Sequence, residues 1–157
     1  MQDKWINEFM LTYKIKVLIN GPRPDFRLLK SFIWSDFHNI DSDGNSFNPA
    51  SRDWTELYIA SRENKNEVID INPININPLI LEIKASSEIL GNKAAYFLAK
   101  ETSGQVMYQE ETRLNDADFL LDKLGIDFNI QDALEMSKRS VWRKSSLENP
   151  YPNLKID

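Results

Sequence analysis

Between Leu11 and Ile19 the chain alternates: Leu11, Tyr13, Ile15, Val17 and Ile19 are interleaved with Thr12, Lys14, Lys16 and Leu18. A period of two sends one set of side chains into a core and the other towards water, which requires a sheet covered on one face. The next residues narrow the choice further. Gly21-Pro22-Arg23-Pro24 breaks the strand, and Asp25 is placed to cap a helix whose Phe26, Leu29, Ile33 and Phe37 share one side. A strand, a sharp break and a helix open the chain, so its fold contains both kinds of element.

The remaining elements follow from the same local signals. Residues 38–52 are mostly Asn, Asp, Ser, Gly and Pro and read as a long loop. Trp54 to Arg62 reads as a strand, Glu63-Asn64-Lys65-Asn66 as a hairpin turn, and Val68 to Ile71 as the antiparallel return. The phrase Ile71-Asn72-Pro73-Ile74-Asn75-Ile76-Asn77-Pro78 reads as an edge or connector, because each proline removes a ladder donor. Leu79 to Lys84 is a strand. Ser86 or Ser87 then caps a helix carrying Leu90, Ala94, Phe97 and Leu98, with Gly104 as its left-handed stop and Val106 to Tyr108 as a further strand. Two helices follow, about 116–124 and 130–144, the second with Ile130, Leu134 and Val141 inward, and Asn149-Pro150-Tyr151-Pro152 ends regular structure. The order predicts an α+β domain over residues 1–157. Its sheet is mixed and four- or five-stranded, of split βαβ type, with a neighbouring parallel pair if the strands of the 79–108 strand-helix-strand unit are adjacent. Helices pack on it, and a helical layer is added at the carboxyl end.

Composition removes much chemistry. The 157 residues include no Cys and one His, which excludes disulfides, thiolate metal sites and a cysteine nucleophile, and most imidazole-based sites as well. No metal or other cofactor is expected. Nineteen Lys and Arg against 24 Asp and Glu give a net charge of −5, a field that repels phosphate backbones and anionic lipid. Met1-Gln2-Asp3-Lys4-Trp5 lacks the basic-then-apolar order of an export signal, and no apolar run reaches membrane-spanning length. The expected location is cytoplasmic.

Several patterns invite a functional reading. Asn39-Ile40-Asp41-Ser42-Asp43-Gly44 resembles the start of a calcium loop, yet Ala50 stands where a bidentate Glu is required and Ser46 where an apolar anchor belongs, leaving an Asx-rich turn. Gly21 to Asp25 links a strand to a helix start, but two prolines remove donors and Asp25 repels phosphate; Arg23 reads as an exposed turn residue. His38 has Asp36 and Asp41 to orient it, and no serine in a nucleophile-elbow phrase to receive its help, so it reads as a helix-end residue. The pairs Asp53 with Glu56 and Glu110 with Glu111 arise from composition alone. Lys138, Arg139, Arg143 and Lys144 around Trp142 read as the basic last turns of a helix.

The interaction set with the most content is Asp53, Trp54, Glu56, Tyr58 and Arg62, which combines aromatic area with both charge signs along one predicted strand, with Asp41 and Asp43 in the loop before it. The competing reading packs Trp54 and Tyr58 beneath the final helices. In size, charge and mixed α and β plan the chain resembles small acidic bacterial immunity proteins, which neutralise a toxin by covering an essential surface. That resemblance implies a basic protein partner and carries over no residue assignments. The expected function is therefore non-catalytic protein binding or inhibition. A metabolite binder or carboxylate-dependent enzyme with a pocket between sheet and helices stands as the alternative, and a homo-oligomer built on the aromatic strand face as a third.

Overall fold

A computed structural model describes residues 10–154; the Met1 to Trp5 segment read for an export signal lies outside them. The alternating stretch forms β1 (Tyr13–Leu18), with Ile15 and Val17 wholly buried and Lys14 exposed. Asp25 caps α1 (Phe26–Ile33), its carboxylate accepting the Arg27 N–H at 2.9 Å. The helix ends at Ile33, so Phe37 falls beyond it and is 88% exposed instead of facing inward.

The polar stretch after α1 is not all loop. β2 (Ile40–Gly44) pairs antiparallel with β3 (Leu57–Ser61), which is shorter than the expected strand because Trp54 to Glu56 precede the pairing. A strand so rich in Asp, Ser and Gly gives no local signal; its pairing with β3 alone makes it a strand. β3 turns through 62–67 into β4 (Val68–Ile76), the expected hairpin.

β4 lies between β3 and β5 (Leu79–Ala85) as far as Ile71, and the proline phrase beyond it continues the strand as an edge, in keeping with the edge reading. The second half of β4 pairs with β5 alone, and the register shifts between Pro73 and Asn75. Pro73 is accommodated where one flank of the strand is unpaired. The connection to β5 contains a cis Asn77–Pro78 bond.

Ser87 caps α2 (Glu88–Thr102), and β6 (Gln105–Met107) completes the sheet. Ser103, not Gly104, takes the left-handed position, with φ 53°. Gly104 is needed for space instead, because a Cβ there would lie 2.1 Å from the Leu18 carbonyl oxygen.

Among the described residues the sheet has six strands in the order β2-β3-β4-β5-β1-β6, and every neighbouring pair is antiparallel. The expected mixed sheet is thereby corrected, and the condition for a parallel pair, adjacency of β5 and β6, is not met. β5 and β6 are separated by β1, and each runs antiparallel to it, so the crossover through α2 creates no parallel contact.

The core lies between the helices and one face of the sheet. Ile15, Val17, Ile59, Ile69, Ile71, Leu81 and Ile83 meet Leu28, Leu29 and Phe32 of α1 and Ala94, Phe97 and Leu98 of α2. The alternate residues Tyr58, Ala60 and Val68 form a smaller cluster with Leu11 on the other face.

Towards the carboxyl end, Asp116 caps a 3-10 helix (Ala117–Lys123), and Gly125 adopts φ 100° just after it. The expected long helix is interrupted: α3 (Ile130–Arg139) ends at Ser140, and a 3-10 turn (Val141–Lys144) follows. Ser140 accepts the Trp142 N–H at 3.2 Å and donates to Asp36 at 2.8 Å, which pins the break to the end of α1. Ile130, Leu134 and Trp142, but not Val141, pack on the core. A last 3-10 turn spans Pro152–Leu154. Among the described residues, no helix is long and apolar enough to cross a membrane.

Candidate functional site

β2 is an end strand of the sheet, and its hydrogen-bond phase is set at both ends. Arg62 donates its N–H to the Asn39 carbonyl at 2.8 Å, and Asn45 donates to the Glu56 carbonyl at 3.2 Å. The register between them joins Asp41 to Ala60 and Asp43 to Tyr58. The odd-numbered residues therefore direct their main-chain groups at β3, while Ile40, Ser42 and Gly44 direct theirs outward. Asp43 Oδ1 accepts the Gly44 N–H at 2.9 Å.

Asp41, Asp43 and Glu56 are exposed, and by alternation they lie on the sheet face away from α1 and α2. Arg62 Nε is 3.4 Å from Asp41 Oδ1, with both side chains more than half exposed, a pairing whose net contribution is small in water. Asp53 is exposed and acts on Arg23, whose pKa is lowered by burial and partly restored by that carboxylate. Arg23 is not a simple surface residue: its Nε donates to the Trp54 carbonyl at 2.8 Å and ties the α1 entry to the β3 entry.

The aromatic part of the expected set is buried. Trp54 is 1% exposed and donates its indole N–H to the Pro24 carbonyl at 2.9 Å, while Tyr58 is 6% exposed in the smaller cluster. They lie on opposite faces of the sheet instead of sharing one, because the strand begins only at Leu57. The exposed aromatic in this region is Phe47, 99% open to solvent in the loop after β2.

Two grooves flank the end of β2. One of about 160 Å³ lies on the helix side, lined by Phe26, Pro49, Leu57, Ser42 and Gly44 among others. The other, about 80 Å³, lies on the far face and is lined by Asp43, Glu56 and Asn72 among others.

Sequence reasoning found no serine for His38, but the structure supplies one. His38 Nε2 is 2.8 Å from Ser61 Oγ, and Nδ1 is 3.5 Å from Glu63 Oε2. Neither Asp36 nor Asp41 fills that role: Asp36 accepts from Ser31 and Ser140, and Asp41 meets Arg62.

The contacts run in the order Ser61, His38, Glu63, and the serine is tied into the hairpin turn beside them. Ser61 Oγ accepts the N–H groups of Glu63 at 3.2 Å and Asn64 at 2.9 Å, so both lone pairs hold the hairpin turn. The same oxygen also meets His38 Nε2, so the hydroxyl is engaged on every side. Ser61 is also buried, and the His38 ring stacks on Trp34 at 4.9 Å. The group locks the β3–β4 hairpin to the end of α1. The contact between Ser61 and His38 has no sequence signature because the two residues lie 23 positions apart on different elements.

The other candidates resolve into structural ties. Asp25, wholly buried, accepts from Arg27 Nε at 2.9 Å, Arg27 Nη2 at 2.6 Å and Ser145 Oγ at 2.6 Å, so the α1 N-terminus already holds an anion. The Arg27 guanidinium lies 4.0 Å from the Trp142 ring centroid. Arg143 binds Glu101 at 2.6 Å and Ser137 Oγ at 2.6 Å, which withdraws it from the expected basic cluster; Lys138, Arg139 and Lys144 are exposed. Residues Asn39 to Gly44 form β2 and its approach, not a calcium loop.

Tyr13 donates to Asn92 at 2.5 Å, and burial, helped by the nearby Tyr108 and Glu88, raises its pKa. Among the described residues, no group of three or more His, Asp or Glu side chains could hold a metal ion. No protein-family profile, curated protein or solved structure matches this chain.

Proposed function

We propose that this chain is a non-catalytic protein-binding or inhibitor domain whose partner is a basic protein met through the rim formed by β2 and the start of β3. The supporting observation is the exposure of Asp41, Asp43 and Glu56 at one end of the sheet, with Asp53 and Arg62 beside them. Acids placed on a fixed strand present charge without further ordering, which favours fast and selective encounter with a positive surface. Trp54 and Tyr58 serve the rim from beneath by holding β3 in place. A toxin of immunity-type systems is a partner of this chemistry. On this reading the chain is one α+β domain, its β5–α2–β6 crossover about β1 follows the split βαβ plan, and α3 with the following 3-10 turn is an added layer packed on α1.

A metabolite reading would need a site other than the two grooves beside β2, whose volumes of about 160 and 80 Å³ fall below the roughly 300–1,000 Å³ of ordinary small-molecule sites. The test is comparative capture from the native cell, with the wild-type chain and an Asp41→Asn/Asp43→Asn/Glu56→Gln variant immobilised in parallel. A basic protein retained by the wild type and lost by the variant is the expected result. A partner held equally by both overturns the reading.

A further inference from the structure

Among the described residues, nothing pairs with the outward edge of β2, which lies in the middle of the acidic rim. Ile40 and Ser42 direct both main-chain groups away from β3, and Gly44 its carbonyl, since the phase of the ladder assigns the odd residues to β3. Such an edge is a template for another strand unless something blunts it. Short length and charge blunt β2 against its own kind. A twofold pairing of two β2 strands would set Asp41 and Asp43 of one copy near those of the other, and like charges across strands destabilise pairing.

The surroundings state what an added strand would need. On the helix side, its side chains would approach the open groove of about 160 Å³, where Phe26, Pro49 and Leu57 form the apolar wall beside Ser42, Asp43 and Ser46. On the far side, they would approach Asp41, Asp43 and Glu56. Successive residues of a strand point to opposite faces, so the two environments alternate along it.

We infer that β2 is completed by an extended segment of a basic partner in which apolar side chains, directed to the Phe26 groove, alternate with Lys or Arg directed to Asp41 and Asp43. This inference rests on the protein-binding reading above and adds to it the mode of recognition: main-chain bonds supply affinity, and alternate side chains supply selectivity.

The test uses the full chain and a short blocked peptide alternating lysine and valine, beside its fully N-methylated counterpart, which keeps the charges and loses every main-chain donor. In an NMR titration the unmethylated peptide should shift the amides of Ile40, Ser42 and Gly44. The methylated peptide should bind about tenfold more weakly, the scale of one or two lost main-chain bonds. An Asp41→Asn/Asp43→Asn variant should weaken both.

Equal binding of the two peptides, with both lost in the Asn variant, overturns strand addition and leaves the charge-based reading standing. Binding unchanged in the Asn variant overturns the acidic reading beneath it. Shifts confined to other surfaces, or no binding, overturn the inference. So does a concentration-dependent dimer in sedimentation that Ser42→Pro dissolves, since that would assign the edge to a second copy.

Discussion

Asp25 and Asp43 are the same side chain put to opposite uses. Asp25 is completely enclosed and holds a helix end, a guanidinium and a hydroxyl; Asp43 stands in solvent on an end strand. The capping role of Asp25 was legible, because a strand-breaking Gly-Pro-Arg-Pro phrase followed by Asp and an apolar helix face is a local pattern. Its bond to Ser145 was not, since those residues are 120 positions apart.

Tyr13 offers a residue-scale prediction. Its burial raises the phenol above the ordinary 10.0, as burial also raises Tyr96, while the bond to Glu88 raises Tyr108. The folded state favours the neutral ring, so above that pH the unfolded chain binds fewer protons than the native one and stability falls as pH rises. The contribution is whole below pH 10 and is lost on the way up through the higher folded value. Thermal melts across pH 9 to 11 or so should therefore show an alkaline decline that Tyr13→Phe makes shallower, at about 1 kcal/mol lower stability near neutrality from the lost Asn92 bond. A decline of the same slope in the variant would remove Tyr13 as a cause.

Elements were readable where periodicity and caps agreed. β1, α1, β5 and α2 begin within a residue or two of their expected starts, because each has an apolar pattern and a boundary signal of its own. β2 failed that test for a physical reason: an end strand with water around most of its side chains needs no apolar alternation, and only β3 declares it. The stop of α2 shows how two adjacent residues divide one task. Ser103 carries the left-handed backbone and Gly104 the close approach to Leu18. Ser103→Gly should stabilise the protein by about 0.5–1 kcal/mol by relieving the positive φ. Gly104→Ala should destabilise it by about 1–3 kcal/mol because the methyl meets backbone. Urea unfolding of both variants checks the assignment, and the reverse order would contradict it.

The net charge of the whole molecule is −5, and the charged residues on the outer face of the sheet are unevenly distributed. Register places Asp41, Asp43 and Glu56 towards the β2 end and Lys14, Lys16 and Lys84 on β1 and β5, with Lys16 opposite Glu82 and Lys84 opposite Asp70. A partner steered by the acidic end should associate more slowly as salt rises, because the screening length shortens from about 8 Å at 0.15 M to about 3 Å at 1 M. Stopped-flow association of the captured partner over that range measures this, and an on-rate indifferent to salt would argue against charge steering.

The amino-acid sequence by itself determined the α+β class, the opening strand and capped helix, the hairpin at residues 62–67, and the exclusion of thiol chemistry. These depend on composition and on neighbours within a few positions. Tertiary structure alone decided the antiparallel strand order, the burial of Trp54 and Tyr58 on opposite faces, the His38–Ser61–Glu63 lock and the exposed edge of β2. Each of these is a pairing between distant segments, whose free energy comes from surfaces and hydrogen-bonding groups that meet only after the chain has closed its loops.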